Sequence, residues 1–417
     1  MKRIFLLSVT FVLLQTSLSA QDFFNKDFNY KKTGYRNVIT TAVPFLMIAP
    51  DSRSGSLGDI GAATSADAAS QQHNPSKYVF NKNVFGISFS YSPWLHQLVR
   101  DINLLHLAGY YKVTRMDAIG FSLHYFGLGE IQFTDEWGNL MGIQKPNEFA
   151  IDFTYSRKLA EVFSMAITPR FIYSDLTAGQ FMGGIETNPG LAGAADVSLF
   201  YEQDFKYTGI HNSTLRFGLN ISNIGNKIKY SDYSDQRDFI PTNLKLGLGY
   251  TVELDEYNSI ALSFDLNKLL VPTRPIYYNP RDTAGPNGER IIALPRKNPK
   301  DPNKLGVAEG MIRSFYDAPG GFREEMREIN FGIGFEYAYR DLLFVRAGYF
   351  YENPWKGGRQ YLTCGAGIKY SIIGVDMAYL FPTTGAHHPL ESTLRFTLTF
   401  DLVSFEKDDI KKQGKLN

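Results

Sequence analysis

Residues 394–402 read Leu-Arg-Phe-Thr-Leu-Thr-Phe-Asp-Leu, with a large apolar side chain at every second position and a polar one between. Successive side chains of a β-strand point to opposite faces, so this period of two predicts a strand with one apolar and one polar face. The length suits a bilayer, because a tilted transmembrane strand needs about 9–11 residues. The stretch therefore favours a strand that spans a membrane.

The same alternation recurs along most of the chain, and this repetition matters because a single strand of this kind is a weak signal. Clear examples lie at 85–91, 119–125, 149–155, 163–173, 215–221, 244–252 and 331–339. Weaker ones lie at 104–112, 191–204, 257–268, 341–351, 359–370 and 373–381. Together they predict an all-β fold, a transmembrane antiparallel β-barrel of about 14 strands, an even number as in closed bacterial barrels.

The connections between these strands are of two kinds that alternate along the chain. Short ones lie at 114–116, 158–160, 255–256, 340–341 and 371–372, and long ones at 92–103, 127–146, 175–190, 224–240, 269–328 and 382–390. Short periplasmic turns and longer outer loops are typical of outer-membrane barrels, whereas a soluble β-sandwich has no reason to separate loop lengths by side. We therefore expect a multi-pass barrel in the cell outer membrane with both termini in the periplasm.

The composition agrees with a barrel. Aromatic residues make up 14% of the chain, with 25 Tyr and 32 Phe, yet the mean hydropathy is only -0.21, so apolar residues are dispersed. Beyond the first 20 residues no stretch approaches the roughly 18 uncharged apolar residues of a transmembrane helix. The net charge of +1 provides no field that would attract nucleic acid. Cys364 is the lone cysteine, which excludes an internal disulfide, and we expect it to face lipid.

The chain is divided into five parts. Residues 1–20 have the layout of a cleaved secretory signal, with a basic start, an apolar centre and small residues up to Ala20. We assign 21–41 to an N-terminal periplasmic segment, 42–82 to a plug or hatch, 83–402 to the barrel with its long outer loop 269–328, and 403–417 to a periplasmic tail.

The segment before the first strand is rich in Gly, Ala, Ser and Asp, and we interpret it as a plug of the barrel lumen. Small side chains let its backbone run close to the wall, and Gly tolerates unusual dihedrals. We expect Arg53 to pair with a carboxylate of the plug or the wall, since a buried unpaired charge is strongly destabilising. The residues assigned to the plug are Asp51, Arg53, Gly55, Gly58, Asp59, Gly61, Asp67, Asn74 and Pro75.

The same segment carries a family resemblance. The run from Gly61 to Ser70 followed by Asn74-Pro75 resembles the N-terminal hatch of the FadL-like outer-membrane proteins, and the preceding 49–55 with Gly58-Asp59 is similar to the barrel component of the type IX secretion system. This resemblance implies a non-enzymatic protein of Gram-negative outer membranes. Surrounded by outer-membrane lipid, the protein would bind cargo with C-terminal signal domains at the type IX translocon barrel. It would then deliver this cargo to the surface attachment complex.

Two other functions stay open. The shared hatch pattern also fits a FadL-like transport channel for hydrophobic small molecules, and relatives of the family have been linked to a lipid-modifying hydrolase. A hydrolase needs a nucleophile and a base within reach of each other, and no nucleophile-elbow, metalloprotease or phosphate-loop motif occurs. We predict no catalytic residue and no cofactor. We also predict no metal site, because the adjacent His387 and His388 lack a third ligand.

The connection 269–328 stands out by its length and its many prolines. Loops longer than about 15 residues without structure of their own are usually functional or disordered. An apolar tetrad lies near its centre, where it is poorly placed in open water, and basic residues follow it. The alternative is a mobile solvated loop. The residues predicted to bind a partner are Ile291, Ile292, Leu294, Arg296 and Lys297.

Overall fold

The computed structural model describes residues 37–94, 101–134, 140–176, 181–182, 185–206, 212–231, 237–273, 304–319, 321–383 and 393–404. Within these ranges fourteen antiparallel strands form a closed barrel, in which each strand pairs with the next barrel strand along the chain and the last pairs with the first. The predicted barrel of about 14 strands is confirmed. The strands are β1 (Asn83–Pro93), β2 (Asn103–Lys112), β3 (Asp117–Gly127), β6 (Asn147–Ala160), β7 (Phe163–Asp175), β10 (Gly190–Phe205), β11 (Ser213–Gly225), β12 (Asn243–Glu253), β13 (Asn258–Leu269), β14 (Ile329–Tyr339), β15 (Leu343–Tyr351), β16 (Gln360–Tyr370), β17 (Ile373–Pro382) and β18 (Leu394–Ser404).

The barrel closes where the first strand meets the last. β1 and β18 pair in antiparallel register, with Phe85 opposite Leu402 and Phe89 opposite Leu398. Closure gives every strand two neighbours, which removes the exposed edges that hydrocarbon cannot hydrogen-bond.

The alternating pattern of residues 394–402 is realised with its apolar side outward. Phe396 is 43% exposed, whereas the neighbouring Arg395 and Thr397 are 3% and 5% exposed. A water-soluble sheet would bury the apolar face, so this inverted arrangement is the one expected of a wall that faces lipid.

The connections separate by side as the sequence predicts. At one end the strands are joined by short turns, such as the one between β14 and β15, where Arg340 and Asp341 have φ of 55° and 50°. Positive φ at successive positions gives the turn the twist that matches the flanking strands. We call this the turn end.

The opposite end carries the long connections, and we call it the loop end. Two of these connections contain small hairpins, β4 (Ile131–Thr134) with β5 (Leu140–Gln144) and β8 (Phe181–Met182) with β9 (Ile185–Glu186). The connection 269–328 contains two helices, Val307–Arg313 and Phe322–Arg327, which the sequence pattern did not predict. No helix in the described ranges is long and apolar enough to cross a membrane.

Residues 37–82 run along the inner side of the wall from the loop end to the turn end. At the loop end, Asn37 Nδ2 donates to Glu324 Oε1 over 3.1 Å and the Ala42 amide donates to the Phe239 carbonyl over 2.9 Å. At the turn end, the ring of Tyr78 stacks on Tyr110 of β2 at 5.0 Å. The segment then enters β1.

This direction corrects one expectation. Residues 21–41 were assigned to the periplasmic side, but 37–41, the described part of that segment, lie among the long connections. The physical reason is the apolar run at 43–48: Val43, Phe45 and Leu46 are buried in a cluster with side chains from the loop ends of several strands, among them Trp94, Leu104, Phe126, Tyr361 and Leu380. Small residues indicate that a segment can fill a lumen, but they do not indicate from which end of the barrel the segment enters.

The two faces of the wall can be tested with single cysteines in a Cys364→Ser background, since Cys364 is itself exposed. Leu123→Cys, at a position 40% exposed, should react with a membrane-soluble maleimide, and Ser122→Cys, at a position 1% exposed, should react only after denaturation. Equal labelling of both by a water-soluble maleimide in native membranes would contradict the assignment of the faces.

Candidate functional site

The segment 42–82 is built from short helical turns, two of which begin with a residue whose side chain accepts a hydrogen bond from a helix amide. Asp51 accepts a hydrogen bond from the Ser54 amide over 2.8 Å at the start of the helix Ser52–Ser56. Asn74 accepts one from the Ser76 amide over 3.2 Å, with Pro75 at the first helical position of the 3₁₀-helix Pro75–Phe80. Caps of this kind satisfy amides that have no partner within the helix. Three of the predicted plug residues therefore have a local role in shaping the segment.

Close approach between this segment and the wall depends on glycines of both. Gly58 has φ of 76°, and a Cβ there would lie 2.7 Å from the Tyr349 carbonyl oxygen. On the wall, a Cβ at Gly218 would lie 1.9 Å from the Ala62 oxygen, and one at Gly348 would lie 2.2 Å from the Leu57 carbonyl carbon. Inward-facing wall glycines were not predicted as site residues; their signal was glycine on the polar side of the alternation.

Arg53 pairs with both a plug carboxylate and a wall carboxylate. Its Nη1 lies 2.7 Å from Asp67 Oδ2, and its Nη2 and Nε lie 3.0 and 3.1 Å from the two carboxylate oxygens of Glu336 on β14. Burial opposes the cation, but Glu336 and Asp67 outweigh burial and raise the pKa of Arg53 above its usual value. The paired guanidinium is thus a bidentate clamp between the segment and the wall.

The clamp continues into a row of alternating charges along the wall. Arg346 Nε lies 2.6 Å from Glu336 Oε2, and Arg346 Nη1 lies 2.5 Å from Asp376 Oδ1. With Asp67 and Arg53 this gives five groups in which each charge has an opposite neighbour, the arrangement that offsets the desolvation of buried ions. We call this row the charge ladder.

Other wall side chains hold the backbone and acidic side chains of the segment. Asp265 on β13 accepts hydrogen bonds from the Gly61 and Ala62 amides at 2.8 and 3.0 Å. Asp59 lies 2.5 Å from Arg395 Nη1 and accepts a hydrogen bond from the Tyr361 hydroxyl at 2.5 Å. The wall thus provides a carboxylate for backbone amides of the segment and hydrogen-bond donors for one of its carboxylates.

A second buried cluster surrounds His73. Its Nδ1 lies 3.1 Å from Lys245 Nζ of β12, and its Nε2 lies 3.4 Å from Asp51 Oδ1. Because the ammonium can only donate, Nδ1 accepts and the ring proton sits on Nε2, facing Asp51. Burial and the Lys245 cation lower the pKa of His73, so the ring is neutral. Burial also lowers the pKa of Lys77 to about 8, and its ammonium donates to the Gly61 carbonyl over 2.7 Å.

The predicted plug residues lie within the described ranges, and the structure brings Arg53, Asp67, Asp59 and Gly61 into contact with the wall or with each other. A small cavity lies inside the segment itself, lined by plug residues that include Arg53, Asp67, His73 and Lys77. Sequence reasoning missed His73 and Lys77, because a lone His or Lys in a polar stretch carries no distinguishing pattern.

The remaining predicted residues fall elsewhere. Ile291, Ile292, Leu294, Arg296 and Lys297 lie outside the described residues, as do His387 and His388. Within the described part of the chain no group of three or more His, Cys, Asp or Glu residues is arranged to hold a metal ion.

Comparison with known proteins gives a family match. A family model described as "Type IX secretion system protein PorV" matches residues 31–276, which is more than half of the chain. No curated protein sequence matches.

Several solved structures are similar at low identity. The Ralstonia pickettii toluene transporter TbuX is 10% identical with a TM-score of 0.43, over 86% of this chain and 99% of that chain. The P. putida toluene transporter TodX is 10% identical with a TM-score of 0.45, over 86% and 99%. A Pseudomonas aeruginosa FadL homologue is 11% identical with a TM-score of 0.40, over 88% and 99%. Toluene transport is a property of the first two proteins and is not carried over to this chain.

Removing the clamp should loosen the segment from the wall. Arg53→Ala leaves Glu336 and Asp67 without their shared cation, and breaking a buried pair of this kind costs about 3–5 kcal/mol. We expect a lower melting temperature and a higher conductance in planar bilayers. The matched control is Arg157→Ala, which removes an exposed pair with Asp117 and should change neither. Wild-type conductance and melting temperature for Arg53→Ala would show that this residue does not hold the segment.

Acid should destabilise the protein through His73. Its pKa is lower when folded than when unfolded, so the unfolded chain binds a proton that the folded one does not. The free energy of unfolding therefore falls as the pH drops below about 6.5. Thermal unfolding of wild type and His73→Gln between about pH 5 and pH 8 measures this, and the variant should have the shallower slope. His106 and His124 remain in both proteins, so an identical slope would mean that His73 contributes nothing.

Proposed function

The chain belongs to the PorV family of type IX secretion system proteins and is an outer-membrane barrel of that system, and from this premise we propose that it is a non-enzymatic docking component with a closed lumen. In this role it binds cargo with C-terminal signal domains at the translocon barrel and delivers it to the surface attachment complex. The long connections lie outside the cell, and the short turns face the periplasm.

The observation that supports the proposal is the set of ion pairs and hydrogen bonds that bind the segment 42–82 to the inner wall. The charge ladder, the hydrogen bonds from backbone amides to Asp265 and the contacts of Asp59 involve six consecutive wall strands, β13 to β18. A passage through the lumen would have to separate these buried charges, each of which is costly to leave unpaired. A barrel closed in this way offers partners its loops and its outer wall, which supports docking over transport of hydrophobic small molecules.

The same geometry speaks against hydrolysis. The Ser54 hydroxyl donates a hydrogen bond to Asp51 Oδ1, and the same carboxylate oxygen faces His73. In a Ser-His-Asp triad the histidine lies between the other two and takes the proton of the serine. Here the carboxylate lies in the middle, so the histidine is not the hydrogen-bond acceptor of Ser54. This arrangement supports a structural role for the three residues.

The long outer loop remains the proposed partner-binding segment. Its described base is ordered: the Thr273 hydroxyl donates to Glu328 Oε1 over 2.8 Å, and the Thr273 amide donates to Asp317 Oδ2 over 3.2 Å. The strand end before the loop and the residues after it are thus joined at one point. From this base the loop carries Ile291, Ile292 and Leu294 as its apolar contacts, with Arg296 and Lys297 beside them.

Replacing residues 285–300 by a short Gly-Ser linker should leave the barrel intact and abolish recovery of translocon and cargo from mildly solubilised outer membranes. Cargo should accumulate in the periplasm. Two smaller variants distinguish the apolar from the charged contribution to binding. Ile291→Ser with Ile292→Ser and Leu294→Ser removes the apolar contacts, and Arg296→Gln with Lys297→Gln removes the charges. Heat-modifiable migration on gels checks that each barrel is folded. Normal secretion together with normal partner recovery in the linker variant would refute the role of this loop.

A further inference from the structure

The helix Phe322–Arg327 at the loop end is inverted relative to an ordinary surface helix. Its acidic side faces inward: Lys268 Nζ lies 3.1 Å from Glu325 and 2.7 Å from Glu328, and Lys356 Nζ lies 2.6 Å from Glu324 and 2.9 Å from Glu328. The Glu328 and Lys356 side chains are only 1% and 4% exposed. Four ion pairs therefore fix which side of the helix is turned toward the barrel.

The opposite side of the same helix carries two large, exposed apolar side chains beside the exposed Arg323. Phe322 is 79% exposed and Met326 is 51% exposed. Residues four apart lie on one helix face, so these two side chains form one stripe. A helix at a water-facing surface has the reverse pattern, with apolar residues against the core and charged residues outside.

The preceding helix, Val307–Arg313, repeats this arrangement. Gly310 and Ser314 are its buried positions, and a Cβ at Gly310 would lie 3.0 Å from the ring of Phe239 and from Pro272. Three large apolar side chains are exposed here: Ile312 at 65% in the helix, and Phe315 at 51% and Tyr316 at 53% just after it. We call these three, with Phe322 and Met326, the rim face.

The rim face is joined along the chain to the lipid-facing wall. The helix Phe322–Arg327 is followed directly by β14, where Phe331 contacts Phe264 at 6.2 Å and stacks on Tyr351 at 5.0 Å. These rings form a group of aromatic side chains at the loop end of β13, β14 and β15. The lysines that hold the helix belong to the end of β13 and to the residues after β15, so the helix lies across the rim above β14. Its outward side is therefore the side that these ion pairs turn away from the barrel.

We propose that the rim face is a lipid-binding surface that lies in the boundary between the headgroups and acyl chains of the outer leaflet. Amphipathic helices bury their apolar face in this layer, and aromatic residues are enriched there. Five large apolar side chains, each more than half exposed, are more than an aqueous surface normally carries in one place. The ion pairs with Lys268 and Lys356 hold the surface in position. This inference does not depend on the proposed secretion function.

Nitroxide labels test the surface directly. Single cysteines replace Ile312, Phe322 or Met326 in the Cys364→Ser background, and the labelled proteins are reconstituted in vesicles of phosphatidylethanolamine and phosphatidylglycerol without partners. Lys304→Cys, an exposed position before the first helix, is the matched aqueous control. All four positions are exposed, so the substitutions remove little packing, and heat-modifiable migration verifies the barrel.

The readout is the ratio of two collision rates of the label, one with oxygen, which concentrates in lipid, and one with a water-soluble nickel chelate. We expect labels at 312, 322 and 326 to favour oxygen by several-fold more than the label at 304. If the rim labels favour the nickel chelate as the control does, the face is in water and the proposal is wrong. If they are shielded from both reagents, the face is covered by protein, which also overturns it.

Discussion

The pairing of β1 with β18 is the constraint on which the rest of this structure depends. A membrane interior offers no water to an unpaired strand edge, so the chain must return to its own first strand. The registers Phe85 to Leu402 and Phe89 to Leu398 achieve this with apolar residues opposite apolar residues on the lipid side. Once the register is fixed, every inward position of the wall is fixed too. The polar side chains at those positions then need partners within the lumen.

The segment before β1 supplies many of those partners. Glu336 and Asp265 are carboxylates on the inner wall. Arg53 forms an ion pair with Glu336, and the amides of Gly61 and Ala62 donate hydrogen bonds to Asp265. In return Arg395 meets Asp59 of the segment. Wall glycines such as Gly218 and Gly348 bring the two backbones close enough for these short contacts. Wall and segment therefore complete each other's hydrogen bonding, and removing either would leave several charges without partners.

One rule of burial explains both the wall and the loop end. On the barrel, polar groups face inward and apolar groups face outward, as Thr397 and Phe396 illustrate. The helix Phe322–Arg327 follows the same rule outside the sheet, with Glu328 on buried lysines and Phe322 turned out. On the wall the physical cause is that the surroundings are apolar, and at both places charge is stabilised where the protein itself provides counter-charge.

Much of this architecture could be predicted from the amino-acid sequence, because a period of two over strands such as 394–402 needs no tertiary information to identify a two-faced wall. The strand number, the separation of short from long connections and a small-residue segment suited to a lumen follow from local pattern and composition. The sequence also singled out Arg53, since a charge in a buried stretch requires a partner.

Other features were decided only by the tertiary structure, because they depend on which inward positions meet after closure. Glu336 as the partner of Arg53 is 283 residues away in the chain, and no spacing rule connects the two. The direction of the segment was likewise misjudged: the apolar run at 43–48 seats against side chains that come together only at the loop end of the closed barrel. Burial and the Lys245 cation, both supplied by the fold, lower the pKa of His73. Local periodicity determines the wall, whereas contacts across the lumen arise only when fourteen separate strands share one interior.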